Sequence, residues 1–259
     1  MNAPTELARM IPRLEGRVSA EEWQTRLDLA AAYRLVALFK WDDLVFTHLT
    51  ARIPGTEHYL INPYGLMFEE MTASSLVKID IEGKVLQDTP FPINPAGFVI
   101  HSAVHAARSD VGCVLHVHTP AGIAVSAQKA GLLPISQQAT IALASLGYHD
   151  YEGIALNDEE KPRLVRDLGG RASLILRNHG LLTVGRSIAD AFVTMFNLQR
   201  ACEIQVLAQS GGAELTMVDA RIVSGVKANV EAVTKGGGGG LAWPGLLRRL
   251  DRIDPSYKS

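Results

Sequence analysis

Two histidines one residue apart are the feature of this sequence with the strongest chemical content. His116 and His118 stand in "LHVHTP", at the end of an apolar run that predicts a strand. Residues i and i+2 of a strand face the same side, so both imidazoles should point together at the strand end. A neutral imidazole pair can bind one zinc, manganese or iron ion. The pair alone is equally compatible with two polar residues at the end of a core strand.

Three more histidines bear on the same question. His179 lies in "NHG", between the apolar stretches "ASLIL" and "LLTVG", which predicts a turn at a sheet edge. Gly180 is expected to permit a backbone conformation closed to other residues, and the turn could bring His179 to the first pair. An ordinary surface turn is the alternative. His101 and His105, four apart on a predicted helix, are a competing pair, but no acidic third ligand has a suitable spacing. Packing on the helix face is therefore the favoured interpretation of these two.

The elements that would position these residues alternate along the chain. Ser19 and Glu22 form a capping box that begins a helix over 20–39. Helical spacing predicts further helices over 95–108, 121–131 and 188–210. Alternation predicts a hairpin over 46–62, two short strands around 82–83, and strands over 111–118 and 172–185. Several strands meet through tight turns, which favours a mixed, mostly antiparallel sheet covered by helices in one α/β domain.

The predicted domain occupies residues 20–212 of the 259, with an N-terminal extension at 1–19 and a C-terminal extension at 213–259. The Gly-rich stretch at 236–240 predicts a flexible linker. The amphipathic segment after it, "LAWPGLLRRLDRIDPSYKS", is expected to dock on the body of the domain or on a neighbouring subunit.

Composition narrows the function classes. The chain is 47% hydrophobic and 20% charged with a net charge of −2, so neither a nucleic-acid nor a membrane partner is expected. Cys113 and Cys202 lie in apolar segments, which predicts buried thiols and a cytoplasmic protein. No signal peptide and no apolar run near the roughly 18 residues of a membrane span is recognisable. Dinucleotide-binding and phosphate-loop glycine motifs are also missing from the sequence.

The order of several motifs resembles the class II aldolase/adducin family, nearest to its adducin-like bacterial branch. These are "NPYGL", "HSAVHAARSDVGCVLHVHTPAG", "YHDYEGI" and "LILRNHGLLTVG", within residues 20–210. The resemblance implies one α/β domain, with a mostly antiparallel sheet between helix layers, and a homotetramer with active sites between subunits. It also implies a divalent metal, Zn²⁺ first and Mn²⁺ or Fe²⁺ as alternatives, held by His116, His118 and His179.

The sequence departs from the aldolases of that family at several positions. Their acid/base glutamate, at the start of the helix before the His-x-His strand, is Gly97 here. The serines beside that glutamate are Pro95 and Ala96, and two residues of the phosphate loop are His48 and Thr50. A glycine cannot abstract a proton. We therefore do not expect this chain to cleave phosphorylated sugars by the usual route. The aldolases' catalytic tyrosine falls near Gln137 and Gln138.

Other residues are candidates to work beside the metal. His101 lies one helical turn beyond Gly97 and could replace part of the missing carboxylate, although it could instead pack against the sheet. Tyr151 is a second candidate catalytic residue. The expected substrate-binding residues are His48, Thr50, Asn62 and Gly65.

The favoured function is a metal-dependent lyase of aldolase or decarboxylase type. Its substrate would be a small, non-phosphorylated carbonyl compound or hydroxy acid, and the metal would stabilise an enolate-like intermediate. The alternative is a non-catalytic, adducin-like oligomeric or binding protein with a vestigial metal site. A non-haem iron enzyme ranks last, because iron more often takes two histidines and a carboxylate.

Overall fold

One seven-stranded sheet organises the part of the chain described by the computed structural model, which comprises residues 10–153, 158–234 and 238–259. Its order is β3-β2-β1-β4-β7-β6-β5, and all neighbours are antiparallel except β5 and β6. The strands are β1 His48–Arg52, β2 Tyr59–Ile61, β3 Val77–Ile79, β4 Cys113–Val117, β5 Leu146–His149, β6 Ser173–Leu176 and β7 Gly180–Gly185. The predicted mixed, mostly antiparallel sheet is thereby confirmed.

Helices cover both faces of the sheet, and two apolar cores lie between the layers, beside a third, small cluster in which Phe98 packs on β2 and β3. The helices are α1 Ala20–Leu38, α2 Pro95–Ala107, α3 Pro120–Ser126, α4 Gln137–Leu143, α5 Lys161–Leu168, α6 Ile188–Ser210, α7 Ala220–Thr234 and α8 Gly239–Ile253. The larger core joins α1 and α6 to one face, and the smaller core joins α2 and α5 to the other. Leu115 of β4 belongs to the first core and Val114 to the second, as the alternation of a strand requires.

The predicted elements agree with the structure where periodicity is strong. The helix α1 begins at the predicted cap, because the hydroxyl of Ser19 accepts a hydrogen bond from the Glu22 amide. The helix predicted over 121–131 is shorter than expected and ends at Ser126. The sequence analysis missed β5, α4 and α7, as well as the short α5, in which Pro162 is the second residue. Of the two short strands predicted around 82–83, the first is β3, whereas the second forms only an isolated bridge from Val85 to Ile79.

The Gly-rich stretch does not behave as the predicted linker where it is described. Residues 235–237 lie outside the described part of the chain, but Gly239 and Gly240 already belong to α8. The Gly239 amide donates to Asp190 Oδ1 at 3.1 Å, and a Cβ at Gly239 would lie 2.4 Å from the Ala189 carbonyl carbon. The glycine therefore allows close packing on the start of α6 instead of providing flexibility.

The C-terminal segment docks on the body of the domain, one of the two predicted possibilities. Trp243 is buried and donates its indole N–H to Asp28 Oδ1 of α1 at 2.9 Å. Its ring centroid lies 5.7 Å from that of Phe192 on α6. The Tyr257 carbonyl accepts from the Ala73 amide at 2.8 Å. Within the described residues, no helix has both the length and the apolar character needed to cross a bilayer.

Candidate metal centre

Three histidines converge at the end of β4. His116 is the fourth residue of that strand, His118 directly follows it, and His179 lies in the turn between β6 and β7. One ligand nitrogen of each lies within 4.8 Å of the others. The Nε2 atoms of His116 and His118 are 2.8 Å apart, and the ring of His179 lies 4.7 and 4.8 Å from their centroids. The predicted ligand set is therefore assembled in space.

Strand pairing explains how His179 reaches the other two. Antiparallel pairing of β4 with β7 aligns Val117 with Leu181, so the β6–β7 turn lies beside the end of β4. Asn178 takes the left-handed conformation that closes the turn, with a φ of 56°. The sequence analysis expected Gly180, and not Asn178, to take such a special backbone conformation. A Cβ at Gly180 would lie 2.5 Å from the Val117 carbonyl oxygen, so the glycine is needed for close approach.

The hydrogen bonds of two histidines leave their Nε2 atoms free to bind a cation. Nδ1 of His116 lies 3.0 Å from the Leu181 carbonyl oxygen, and Nδ1 of His118 lies 3.1 Å from Asp43 Oδ2. Both partners are acceptors, so a proton on each Nδ1 satisfies them, and each Nε2 then has a lone pair for a ligand. The two Nε2 atoms are 2.8 Å apart, which is close enough for both to bind one ion. The donor set therefore fits a divalent metal.

Burial and mutual repulsion favour the neutral form, which a metal needs, for His116 and His179. Burial, together with the neighbouring histidines, holds the pKa of His116 well below its ordinary value. The same causes lower the pKa of His179 to about 4. Metal ligation requires unprotonated imidazole, so these two side chains are ligand-competent at neutral pH.

A second histidine cluster lies directly beside the first. His48 of β1 pairs with His116 across the sheet, and their ring centroids are 5.4 Å apart. Nδ1 of His48 is 2.8 Å from Nε2 of His101, and Nδ1 of His101 is 2.8 Å from Thr50 Oγ1. That hydroxyl also lies 2.8 Å from Nε2 of His105. All four side chains are buried. Burial, as the largest cause, lowers the pKa of His48 and of His105 to about 3.

This cluster changes the expected roles of its members. The hydroxyl of Thr50 hydrogen-bonds with His101 and His105. Its contacts are therefore with buried side chains, whereas a substrate-binding hydroxyl would face the substrate. His101 packs against the sheet, and its side-chain contact on the side of the metal cluster is with His48. The pair His101 and His105 is bridged by Thr50 and does not form a separate ion site.

Gly97 is explained by the position of His48. A Cβ at residue 97 would lie 2.2 Å from Cδ2 and 2.4 Å from Nε2 of His48. The imidazole of His48 therefore fills the space into which any side chain at residue 97 would project. Gly97 and His48, the two positions at which the resemblance implies other residues in aldolases, therefore share one space in this structure.

Three further residues were predicted to belong to the site, namely Asn62, Gly65 and Tyr151. Asn62 is buried, and its Oδ1 accepts from the hydroxyl of Tyr33 at 2.9 Å, which ties the end of β2 to α1. Gly65 lies in the following turn with a φ of 108°. Tyr151 is 53% exposed, and its ring centroid is 6.2 Å from that of His179, so only Tyr151 of these three contacts the cluster.

Two features escaped the sequence analysis. Asp43, which orients His118, gives no spacing signal because it lies in a loop 75 residues earlier. His149 lies in the polar stretch "GYHDYEG", which is typical of a solvated loop, but that interpretation is wrong. It is a buried strand residue whose ring nitrogens lie 2.8 Å from Asp167 Oδ2 and 3.2 Å from Glu160 Oε1.

Comparison with known proteins identifies the family. A family model described as the class II aldolase and adducin N-terminal domain matches residues 27–206. The chain belongs to this family. The "Putative aldolase class 2 protein" of Pseudomonas aeruginosa is 63% identical over 248 residues, which cover 95% of this chain and 96% of that protein. Mouse alpha-adducin is 50% identical over 201 residues, which are 75% of this chain but only 27% of the adducin.

A solved enzyme of the class II aldolase and adducin family shares the fold. The L-fuculose 1-phosphate aldolase from Glaciozyma antarctica superposes with a TM-score of 0.81 at 28% identity, over 93% of this chain and 94% of that one. The family contains both aldolases and adducins, so membership makes a lyase plausible without fixing the reaction.

Proposed function

We propose that this protein is a metal-dependent carbon–carbon lyase of aldolase or decarboxylase type. The observation that carries the proposal is the convergence of His116, His118 and His179, with the Nε2 atoms of the first two 2.8 Å apart. Zn²⁺ is the expected ion, with Mn²⁺ or Fe²⁺ as alternatives. When bound, such an ion polarises a substrate carbonyl and stabilises the negative charge that develops as a neighbouring bond breaks.

The substrate is proposed to be a small, non-phosphorylated carbonyl compound or hydroxy acid. At the positions of the aldolases' phosphate-loop residues, this chain has His48 and Thr50, whose side chains contact the buried His101. A hydroxyl shared by two imidazoles has little capacity left for phosphate oxygens. Tyr151, exposed beside His179, is the side chain that we propose to contact the part of the substrate nearest solvent.

The proposal includes a cytoplasmic homotetramer, without nucleic-acid or membrane partners. The oligomer is implied by the family resemblance, and the buried free thiols of Cys113 and Cys202 are compatible with a reducing compartment.

A non-catalytic, adducin-like binding protein is the second candidate, favoured by the 50% identity with mouse alpha-adducin. Metal content and turnover separate the two. We expect purified wild type and a His58→Ala control to hold nearly one ion per chain, and His179→Ala to hold much less. Less than about one tenth of an ion in the wild type after metal-replete growth would reject the catalytic proposal.

The reaction is tested on the metal-loaded wild type. Hydroxy ketones, keto acids and aromatic hydroxy acids are incubated with it, and cleavage or CO₂ release is followed by NMR and manometry. A metal-loaded protein that converts none of these classes would favour the adducin-like candidate.

A further inference from the structure

A groove lies at the opposite end of β4 from the histidine cluster. It has a volume of about 860 Å³ and runs between α4, α6 and α7. Asp110 and Val111, which line it, precede β4, whereas His118 follows that strand. A strand of five residues is about 16 Å long, so the groove and the histidine cluster are separate places on the molecule. A volume of several hundred Å³ is typical of a site for a small molecule.

The walls of the groove are largely apolar. Ile141 of α4, Val193 of α6 and Val184 of β7 contribute to them. Ile222 and Val226 of α7 also line the groove, and their spacing of four residues places them on one face of the helix. Val226 is buried, but Ile222 is 61% exposed. The groove therefore has apolar area that a bound apolar molecule would remove from water.

Three arginines that line the groove lie near one another, namely Arg108, Arg171 and Arg186. Nη1 of Arg108 donates to the Arg171 carbonyl oxygen at 3.2 Å. The hydrogen bonds of Arg108 hold the pKa of Asp110 below its ordinary value, and the charge of Arg186 adds to this effect. Arg108 donates to both carboxylate oxygens of Asp110, at 2.7 Å each. Among the described residues, the guanidinium groups of Arg171 and Arg186 have no carboxylate partner, so positive charge is in excess here.

We propose that this groove binds a small organic anion in which a carboxylate is attached to an extended apolar body. The carboxylate accepts charge-assisted hydrogen bonds from Arg171 and Arg186. The apolar body lies along Ile222 and Val226 and removes their exposed area from water. The inference does not depend on the proposed lyase activity, because the groove residues are distinct from the histidine cluster.

A second copy of this chain is the competing occupant, because exposed apolar area is also typical of a contact between subunits. The charge of the groove favours the anion. A subunit contact that covered Arg171 and Arg186 without supplying carboxylates would remove two charges from water at a large cost. A carboxylate ligand instead compensates the charge that it covers.

Titration calorimetry of the purified full chain with three probes tests the ligand class. Decanoate has both a carboxylate and an apolar body, butyrate lacks most of the apolar body, and decyltrimethylammonium carries the opposite charge. We expect saturable binding of one decanoate per chain, and binding of the other two at least about 10-fold weaker. Failure of decanoate to bind saturably, or equally tight binding of the cation, would overturn the inference.

Substitutions of exposed residues test the two parts of the groove without disturbing the core. Arg186→Gln should weaken decanoate binding about 10-fold, because it removes a charge-assisted hydrogen bond. Arg248→Gln is its control, since Arg248 is an exposed residue of α8 outside the groove. Ile222→Asn should also weaken binding, whereas Ile253→Asn, at a 56% exposed position of α8 outside the groove, should not. Equal affinities of Arg186→Gln and Arg248→Gln would contradict the position of the carboxylate.

Methyl NMR locates the bound decanoate. The ¹H–¹³C methyl resonance of Ile222 should shift along the calorimetric binding curve, and that of Ile253 should stay in place. His179→Ala should bind decanoate as tightly as the wild type. Loss of binding in His179→Ala would mean that the carboxylate binds at the proposed metal centre, and it would overturn the inference.

Light scattering tests the competing occupant through the mass of the oligomer. We expect Ile222→Asn to have the same mass as the wild type. A smaller oligomer in Ile222→Asn, together with a wild type that does not bind decanoate, would assign the groove to a contact between subunits and overturn the inference.

Discussion

The substitution Gly97→Ala tests whether residues 97 and 48 occupy one space. An ideal Cβ at residue 97 lies 2.2 Å from Cδ2 of His48, whereas carbon atoms in contact normally lie about 3.5–4.0 Å apart. The imidazole cannot move aside without losing its 2.8 Å contact with His101. Overpacking of this kind costs about 1–3 kcal/mol, and a lost buried hydrogen bond costs about 1 kcal/mol more. We expect a free energy of unfolding lower by about 2–4 kcal/mol and a Tm lower by roughly 5–15 °C.

The double variant isolates the clash from other effects of the substitution. His48→Ala alone should destabilise the protein, but adding Gly97→Ala to it should cost almost nothing, because the methyl group enters the vacated space. Gly225→Ala is the control, since Gly225 lies in α7 with nothing within 4 Å of its Cβ and should gain about 0.5–1 kcal/mol. Thermal and urea unfolding of the four proteins measure the cycle. Effects of the two substitutions that add within about 0.5 kcal/mol would refute the shared-space reasoning.

Two further predictions concern metal affinity and acid stability. Asp43→Asn should weaken zinc binding about 10–100-fold, because Asp43 orients His118, and competition with a chromophoric chelator measures it; unchanged affinity would count against that contact. The lowered pKa of His105, about 3, means that the unfolded chain binds a proton that the folded chain excludes. The contribution of His105 to stability is complete above its ordinary pKa of about 6.5 and is lost as pH falls from there towards 3. The free energy of unfolding of the metal-free protein should therefore fall over that range. Urea titrations at several pH values give the slope of the free energy of unfolding against pH. His105→Gln should reduce this slope by up to about 1.4 kcal/mol per pH unit, and a slope equal to that of the wild type would argue against a neutral, buried His105.

The fold and the candidate metal ligands were accessible to sequence reasoning because each depends on a short pattern. Alternation along β4 placed His116 and His118 together, and the "NHG" turn placed His179 at a sheet edge. Their convergence was an expectation from family resemblance, since pairing of β4 with β7 is a long-range property. The strongly periodic helix α1 agreed with its predicted start at Ser19.

The second histidine cluster was less accessible because its contacts cross elements far apart in sequence. His48 and His101 are separated by 53 residues, and neither a strand nor a helix period relates them. The substitution at Gly97 looked like the loss of a catalytic group, whereas the structure places an imidazole in the same space. The burial of His149 was missed for a similar reason, because its partner Asp167 lies on α5, a short helix that the sequence analysis did not predict.

The X-ray absorption spectrum of the zinc-loaded protein tests the central claim most directly. If His116, His118 and His179 bind the ion, the spectrum should contain about three imidazole nitrogens at roughly 2.0–2.1 Å, with the remaining position filled by an oxygen donor such as water. His179→Ala should lose one of these imidazoles or the ion itself, and His58→Ala should keep all three. A wild-type spectrum with sulfur ligands, with oxygen ligands alone, or identical to that of His179→Ala would contradict the assignment.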